Sequence, residues 1–297
     1  MSTIIKEILN TIEYVSFIGN EDQIVEKPIP LDVDNKNPNV LMWVNQKNLG
    51  YLENIEAGSL IVPQDLNEIN APSGCNLILV RNPRRAFLEV LSNFFTKPHK
   101  HTISQKASIH DNAILGENVG IGANVVIEAN CSIGENTLID HNTVIKENTI
   151  IGKNVVIGSN NTIGGAGYGY EKNNTGEYEF IPHLGNVVIK DYVEIGNNTC
   201  IDRAVLGSTI LEEHVKVDNL VHIAHGVHAG RNSMIIANSM IAGSVSIGEG
   251  AWIAPSASVL NQKSIGTKAI IGMGAVVLKD VPDNSVFVGN PAKKLEK

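Results

Sequence analysis

ASIHDNAILGENVGIGANVVIEANCSIGENTLIDHNTVIKENTIIGKNVVIGSNNTIGG, residues 107–165, repeats on a six-residue beat. Its apolar position recurs at Ile109, Leu115, Ile121, Ile127, Ile133, Ile139, Ile145, Ile151, Ile157 and Ile163, commonly with glycine next. An amphipathic helix needs apolar residues about 3.6 apart, and a period of six leaves no such stripe. Each hexad instead supplies a short strand with one branched side chain pointing inward and a tight turn of Gly, Asn or Asp, so that three hexads close one triangular coil. Stacked coils bury a continuous ladder of Ile and Val. The beat returns at Ile189, Ile195 and Ile201 and, after a shift of phase, runs from Leu211 through Ile223, Ile235, Ile247 and Val259 to Val277. The expected class is mainly β, a parallel solenoid over residues 101–297.

Residues 1–100 lack the beat and read as a small α/β domain. Ser2 is placed to cap a helix running to about Tyr14, and Asn82 with Pro83 to cap a second over 84–95. VLMWV at 40–44, GSLIV at 58–62 and NLILV at 76–80 read as buried strands, and TKPHKHT at 96–102 as the linker. Inside the solenoid the beat lapses from Gly164 to Asn186, a loop long enough to suggest a substrate-facing role. It slips again at Asp202–Leu206, where it advances by four residues.

Composition bounds the function. With 297 residues, 43% hydrophobic and 18% charged, the chain reads as a soluble globular protein, and its net charge of −8 argues against nucleic acid as partner. Cys75, Cys131 and Cys200 form no CxxC pair and read as reduced thiols of a cytoplasmic protein. The start, MSTIIKEILNTIEYV, lacks the basic opening of a signal peptide, and no stretch approaches the ~18 uninterrupted apolar residues of a membrane span.

The densest polar stretch is VKVDNLVHIAHGVHAG, 215–230. His222, His225 and His228 would converge on a metal from a helix, but around a coil of period six they fall on different parts of the perimeter, so no metal is expected. Asp218, seven residues before His225, is expected to meet it around a corner and orient the imidazole as a general base. One coil on from His225 stands Gly243, whose N–H could hold an oxyanion.

These motifs resemble the hexapeptide-repeat acyltransferases, which form left-handed parallel β-helices and work as homotrimers. IPHLGNVVIKDYVEIGNNTCIDRAVLGSTI with VKVDNLVHIAHGV and IAGSVSIG is similar to the UDP-3-O-(3-hydroxyacyl)glucosamine N-acyltransferase family of lipid A synthesis. GGAGYGYEK, with Tyr168 and Tyr170, resembles that family's glycine-aromatic loop, and LMWVNQKN and LILVRNPRRAFLEVL its nucleotide-recognising domain. The resemblance implies His225 as base, Asp218 as its partner and the Gly243 N–H as oxyanion donor. It implies Trp43 stacking on the nucleotide base, Asn45 and Lys47 at base and phosphate, Tyr51 as a second aromatic face, and His222 at the substrate.

Two departures bear on the acyl donor. Where the family usually has a further histidine, the chain reads LNQKSIG, so Gln262 or Lys263 stands on the thioester side, and GNPAKKL near the end resembles coenzyme A-dependent sugar acetyltransferases. The expectation is therefore a cytoplasmic homotrimer that moves an acyl group from a coenzyme A or acyl carrier protein thioester to the amine of a nucleotide-linked amino sugar, without a bound cofactor. Coenzyme A is favoured as carrier, and the lipid A step with acyl carrier protein is the alternative. A metal-binding or structural solenoid is the rival of another class.

Overall fold

In the computed structural model, which describes residues 2–32, 34–65, 74–97 and 101–295, the chain divides into two units, Met1–Pro98 and His99–Lys297. The first is built on a five-stranded sheet in the order Ser16–Ile18, Cys75–Val80, Gly58–Pro63, Val40–Trp43, Lys27–Pro28. Its first pair is antiparallel and the others parallel. Gly58–Pro63 and Cys75–Val80 are buried at every position, as expected of central strands covered on both faces.

Asn82 caps the helix Pro83–Val90 by accepting the Arg85 N–H, with proline in the first turn. That helix ends earlier than the sequence suggests, because a π-helical turn takes over at Leu91–Phe95. The first helix is shorter still, Ile5–Leu9. Ser2 does not cap it, since Thr3 and Ile4 pair antiparallel with Val25 and Ile24, a contact that local propensity does not encode. Residues 98–100 of the expected linker lie outside the described residues.

The second unit is a left-handed parallel β-helix. Three sheets of ten, nine and eight strands form its faces, and most strands are two residues long. Coils stack eighteen residues apart, Val126 on Val144 and Ile127 on Ile145. The second residue of each strand points inward, so that Ile127, Ile145, Ile163, Ile201, Ile223, Ile241 and Val259 form one buried ladder. Fully burying one such side chain contributes about 1.5–3 kcal/mol, so the stack, not any single coil, supplies the stability.

The turns explain the recurrent asparagine. Asn118, Asn124, Asn130, Asn136, Asn142 and Asn148 all have φ between 56° and 62°, the left-handed region that Asn tolerates better than other non-glycine residues. Asn118 also donates to Asn136, and Asn124 to Asn142, so the corners carry side-chain ladders of their own.

The two lapses in the beat are accommodated without breaking the stack. Across the first, Ile163 pairs with Ile201, and the intervening chain throws out an antiparallel hairpin, Tyr170–Lys172 with Tyr178–Phe180. Across the second, Ile201 pairs with Ile223, four residues more than a regular coil, through the longer strands Cys200–Arg203 and Ser208–Leu211. Arg203, buried, donates from Nε to the Gly164 carbonyl at 2.6 Å and from Nη1 and Nη2 to Glu147 at 3.0 and 3.2 Å, tying the slip to the base of the loop.

Candidate active site

His225 stands where the chain leaves the nine-stranded sheet, just after strand His222–Ile223, and its imidazole lies over the next coil at Gly243. A Cβ on Gly243 would sit 2.6 Å from both Cε1 and Nε2 of the ring, so only glycine leaves the ring where it is. The Gly243 carbonyl accepts the Gln262 N–H, while its own N–H has no protein acceptor among the described residues. Burial first, and the charge of His183 second, hold the His225 pKa below the ordinary histidine value, so the imidazole is kept in its unprotonated, basic form.

A groove of about 440 Å³ opens beside the ring, and its lining includes Tyr168, Asp202, His222, Met240 and Gln262 besides His225 and Gly243. His222 Nε2 is 3.5 Å from Asp202 Oδ2. Burial raises the Asp202 carboxyl above the usual carboxylate range, opposed by the charges of His222 and His183. His228 is on another face, in the eight-stranded sheet, with Nε2 3.0 Å from Glu212. The three histidines therefore take separate partners, and among the described residues no group of three or more potential metal ligands is found.

The excursion after Ile163 closes over His225. A Cβ on Gly167 would fall 3.0 Å from His183 Nε2 and 3.1 Å from His225 Cβ, so glycine lets the backbone lie against both rings. Rings run in contact from the loop to His225: Tyr168 to Tyr170 at 5.0 Å, Tyr170 to Phe180 at 5.5 Å, Phe180 to His183 at 5.5 Å and His183 to His225 at 5.4 Å between centroids. His183 Nδ1 is 2.7 Å from the Ile181 carbonyl, which can only accept, so Nδ1 carries a hydrogen, and Nε2 is buried without a partner among the described residues.

Within one chain the structure does not bring Asp218 to His225. Asp218 follows strand Lys216–Val217 of the ten-stranded sheet and so lies one corner earlier on the prism. Its carboxylate accepts the N–H groups of Asn219 at 2.7 Å and Ala237 at 3.2 Å. Neighbouring coils repeat this use of the corner, with Asn219 Oδ1 accepting the Asn197 N–H and Asn197 Oδ1 the Ser159 N–H. Asp202, His183 and Arg203 were not singled out as site residues from sequence, although the slip at 202 and IPHLGN were visible signals.

Gln262 lines the groove, whereas Lys263 is outside it and gives its carbonyl to the Ser246 N–H. In the first unit, Trp43 stacks on Phe87 with centroids 6.1 Å apart and packs against the core. Asn45 caps the 3-10 helix Gln46–Asn54 by accepting the N–H groups of Lys47 and Asn48. Lys47 and Tyr51, on that helix, are exposed.

Comparison with known proteins fits this geometry. A family model described as "Bacterial transferase hexapeptide (six repeats)" matches residues 130–165. UDP-3-O-acylglucosamine N-acyltransferase 1 of Sulfurimonas denitrificans is 45% identical over 260 residues, covering 83% of this chain and 81% of that protein. The chain belongs to the UDP-3-O-acylglucosamine N-acyltransferase family. Some other members match over less of their length: with the protein so named from Caulobacter sp. (strain K31), the chain is 42% identical over 134 residues, 39% of that relative. Among solved structures, a UDP-N-acetylglucosamine acyltransferase from Bacteroides fragilis 9343 superposes with a TM-score of 0.60 at 26% identity, over 65% of this chain and 74% of that one. These names back the lipid A alternative better than the coenzyme A-dependent reading that GNPAKKL suggested, because the family extends through both units of the chain and not only through the hexads.

Proposed function

We propose that the protein transfers an acyl chain from a thioester to the 2-amino group of a UDP-linked 3-O-acylglucosamine, the lipid A step. The observation that carries this reading is the His225 imidazole resting on Gly243, its pKa held below the ordinary histidine value by burial, beside a groove, in a chain 45% identical to a member of that family over most of its length. The amine attacks the thioester carbonyl with its lone pair. His225 takes one of its protons, the uncommitted Gly243 N–H holds the oxyanion of the tetrahedral intermediate, and the thiolate leaves with the electron pair of the broken C–S bond. The base works from its own burial and from contact with His183. The Asp218 carboxylate, engaged at its own corner, has no step in this scheme.

The donor is acyl carrier protein in this proposal, with Gln262 on the thioester side of the groove. The first unit recognises the nucleotide through Lys47, Tyr51 and the Trp43 region. The working assembly is a homotrimer in the cytoplasm, as the family resemblance implies; among the described residues no helix is long and apolar enough to cross a membrane. The test offers the purified protein UDP- and dTDP-linked amino sugars, with and without a 3-O-acyl chain, against acyl carrier protein and coenzyme A thioesters, and reads products by mass. An amide formed on UDP-3-O-acylglucosamine from acyl carrier protein is expected. A product formed only from coenzyme A on a dTDP-sugar would overturn the reading.

A further inference from the structure

An amine attacking with its lone pair brings two N–H bonds into the groove, whereas a hydroxyl brings one O–H, so a site built for an amine needs two acceptors where a site for a hydroxyl needs one. His225 supplies one. Among the residues lining the groove, Asp202 is the one carboxylate. Its side chain is only 14% exposed, His222 Nε2 lies 3.5 Å from Oδ2, and no hydrogen bond reaches either oxygen among the described residues. Buried polar atoms are ordinarily paired, and a carboxylate that has lost water without gaining donors is costly to keep charged. The raised pKa of Asp202 has that cause, and the histidines that face it, His222 and His183, offset the cost only in part.

We propose that Asp202 is a specificity-determining residue that accepts the second N–H of the acceptor amine, so that the groove selects an amino group over a hydroxyl. The assignment rests on the acyl-transfer reading above. As the C–N bond forms, nitrogen gains positive charge until His225 removes one proton, and the carboxylate stabilises that charge. The other hydrogen stays on nitrogen and becomes the N–H of the product amide, still donated to Asp202. A hydroxyl acceptor that gives its only proton to His225 turns lone pairs toward the carboxylate, which is repulsive. The four-residue slip after Ile201 belongs to the same device, because it lengthens strand Cys200–Arg203 and sets Asp202 beside His222 at the groove.

Two acceptors that differ only in carrying an amino or a hydroxyl group at position 2 of the UDP-linked sugar test this. Binding is measured by calorimetry without donor, and turnover by mass with one acyl carrier protein thioester. Asp202→Asn keeps the shape and removes the charge. It is expected to weaken binding of the amino sugar, and to lower its kcat/KM, by about 10- to 100-fold, the loss of one charge-assisted hydrogen bond. Affinity for the hydroxyl analogue is expected to hold or rise, because the repulsion goes with the charge, and Asp202→Glu to restore part of the preference. Equal losses for both acceptors, or none for the amine, would overturn the assignment while leaving acyl transfer standing. A wild-type protein that acylates no amino sugar would overturn both.

Discussion

Replacing Gly243 with alanine sets a methyl carbon 2.6 Å from Cε1 and Nε2 of His225. Unbonded atoms of this kind sit comfortably at about 3.5 Å, so the imidazole must retreat by about 1 Å. The backbone at Gly243 is outside the left-handed region, and alanine there brings no conformational strain. His225 is only partly buried, so the ring has room to move, and stability is expected to change by no more than about 1 kcal/mol. The cost falls on catalysis. A misplacement of about 1 Å in a reacting group can cost on the order of 100-fold, and the same methyl crowds the N–H that holds the oxyanion. Gly243→Ala is therefore expected to lower kcat/KM by about 100-fold or more with an almost unchanged urea midpoint. The assay pairs initial rates of amide formation, read by mass, with urea unfolding. Turnover within threefold of wild type in a folded variant would refute the placement of ring and N–H at the reacting carbonyl.

Because His225 acts unprotonated and burial holds its pKa below the ordinary histidine value, the acid limb of kcat/KM that belongs to the enzyme, after the separately titrated protonation of the substrate amine is divided out, should have its midpoint below that value. An enzyme limb with its midpoint above the ordinary histidine value would contradict the assignment. His183→Gln removes a neighbouring charge that disfavours the imidazolium, so the acid limb should move to higher pH; an unmoved or lowered limb would show that His183 does not act on the base. Arg203→Met leaves the Gly164 carbonyl and Glu147 without their donor and should cost about 2–4 kcal/mol in urea unfolding, and an unchanged midpoint would contradict the anchoring role. Ile223→Ala, in the fully buried ladder of the His225 coil, should cost about 2–5 kcal/mol by the same measurement, and a loss below 1 kcal/mol would contradict the packing.

The solenoid was legible because each hexad states its own strand and turn, and Asn118 or Asn124 marks a left-handed corner as plainly as Ile121 or Ile127 marks the core. His225 and Gly243 were legible for the same reason, being one regular coil apart. The rest of the site was not, because it is assembled where the coil is irregular. His183 reaches His225 only through the excursion after Ile163, and Asp202 reaches His222 only through the slip after Ile201, so neither contact has a fixed sequence offset. Within one chain, seven residues around a triangular coil separate Asp218 from His225 by an edge of the prism, and its carboxylate binds backbone N–H groups at that corner. In VLMWV, the pattern places Trp43 in a strand but does not say that Phe87, from a later helix, covers its ring.

In the proposed reaction His225, seated on Gly243, is the base for amide formation on a UDP-linked amino sugar. The most direct test is a single-turnover reaction of wild type and His225→Ala with UDP-3-O-acylglucosamine and an acyl carrier protein thioester, followed by mass, with folding of both proteins checked by their unfolding transitions. Amide product is expected from the wild type and nearly none from a folded His225→Ala. Near-normal product from His225→Ala would contradict it.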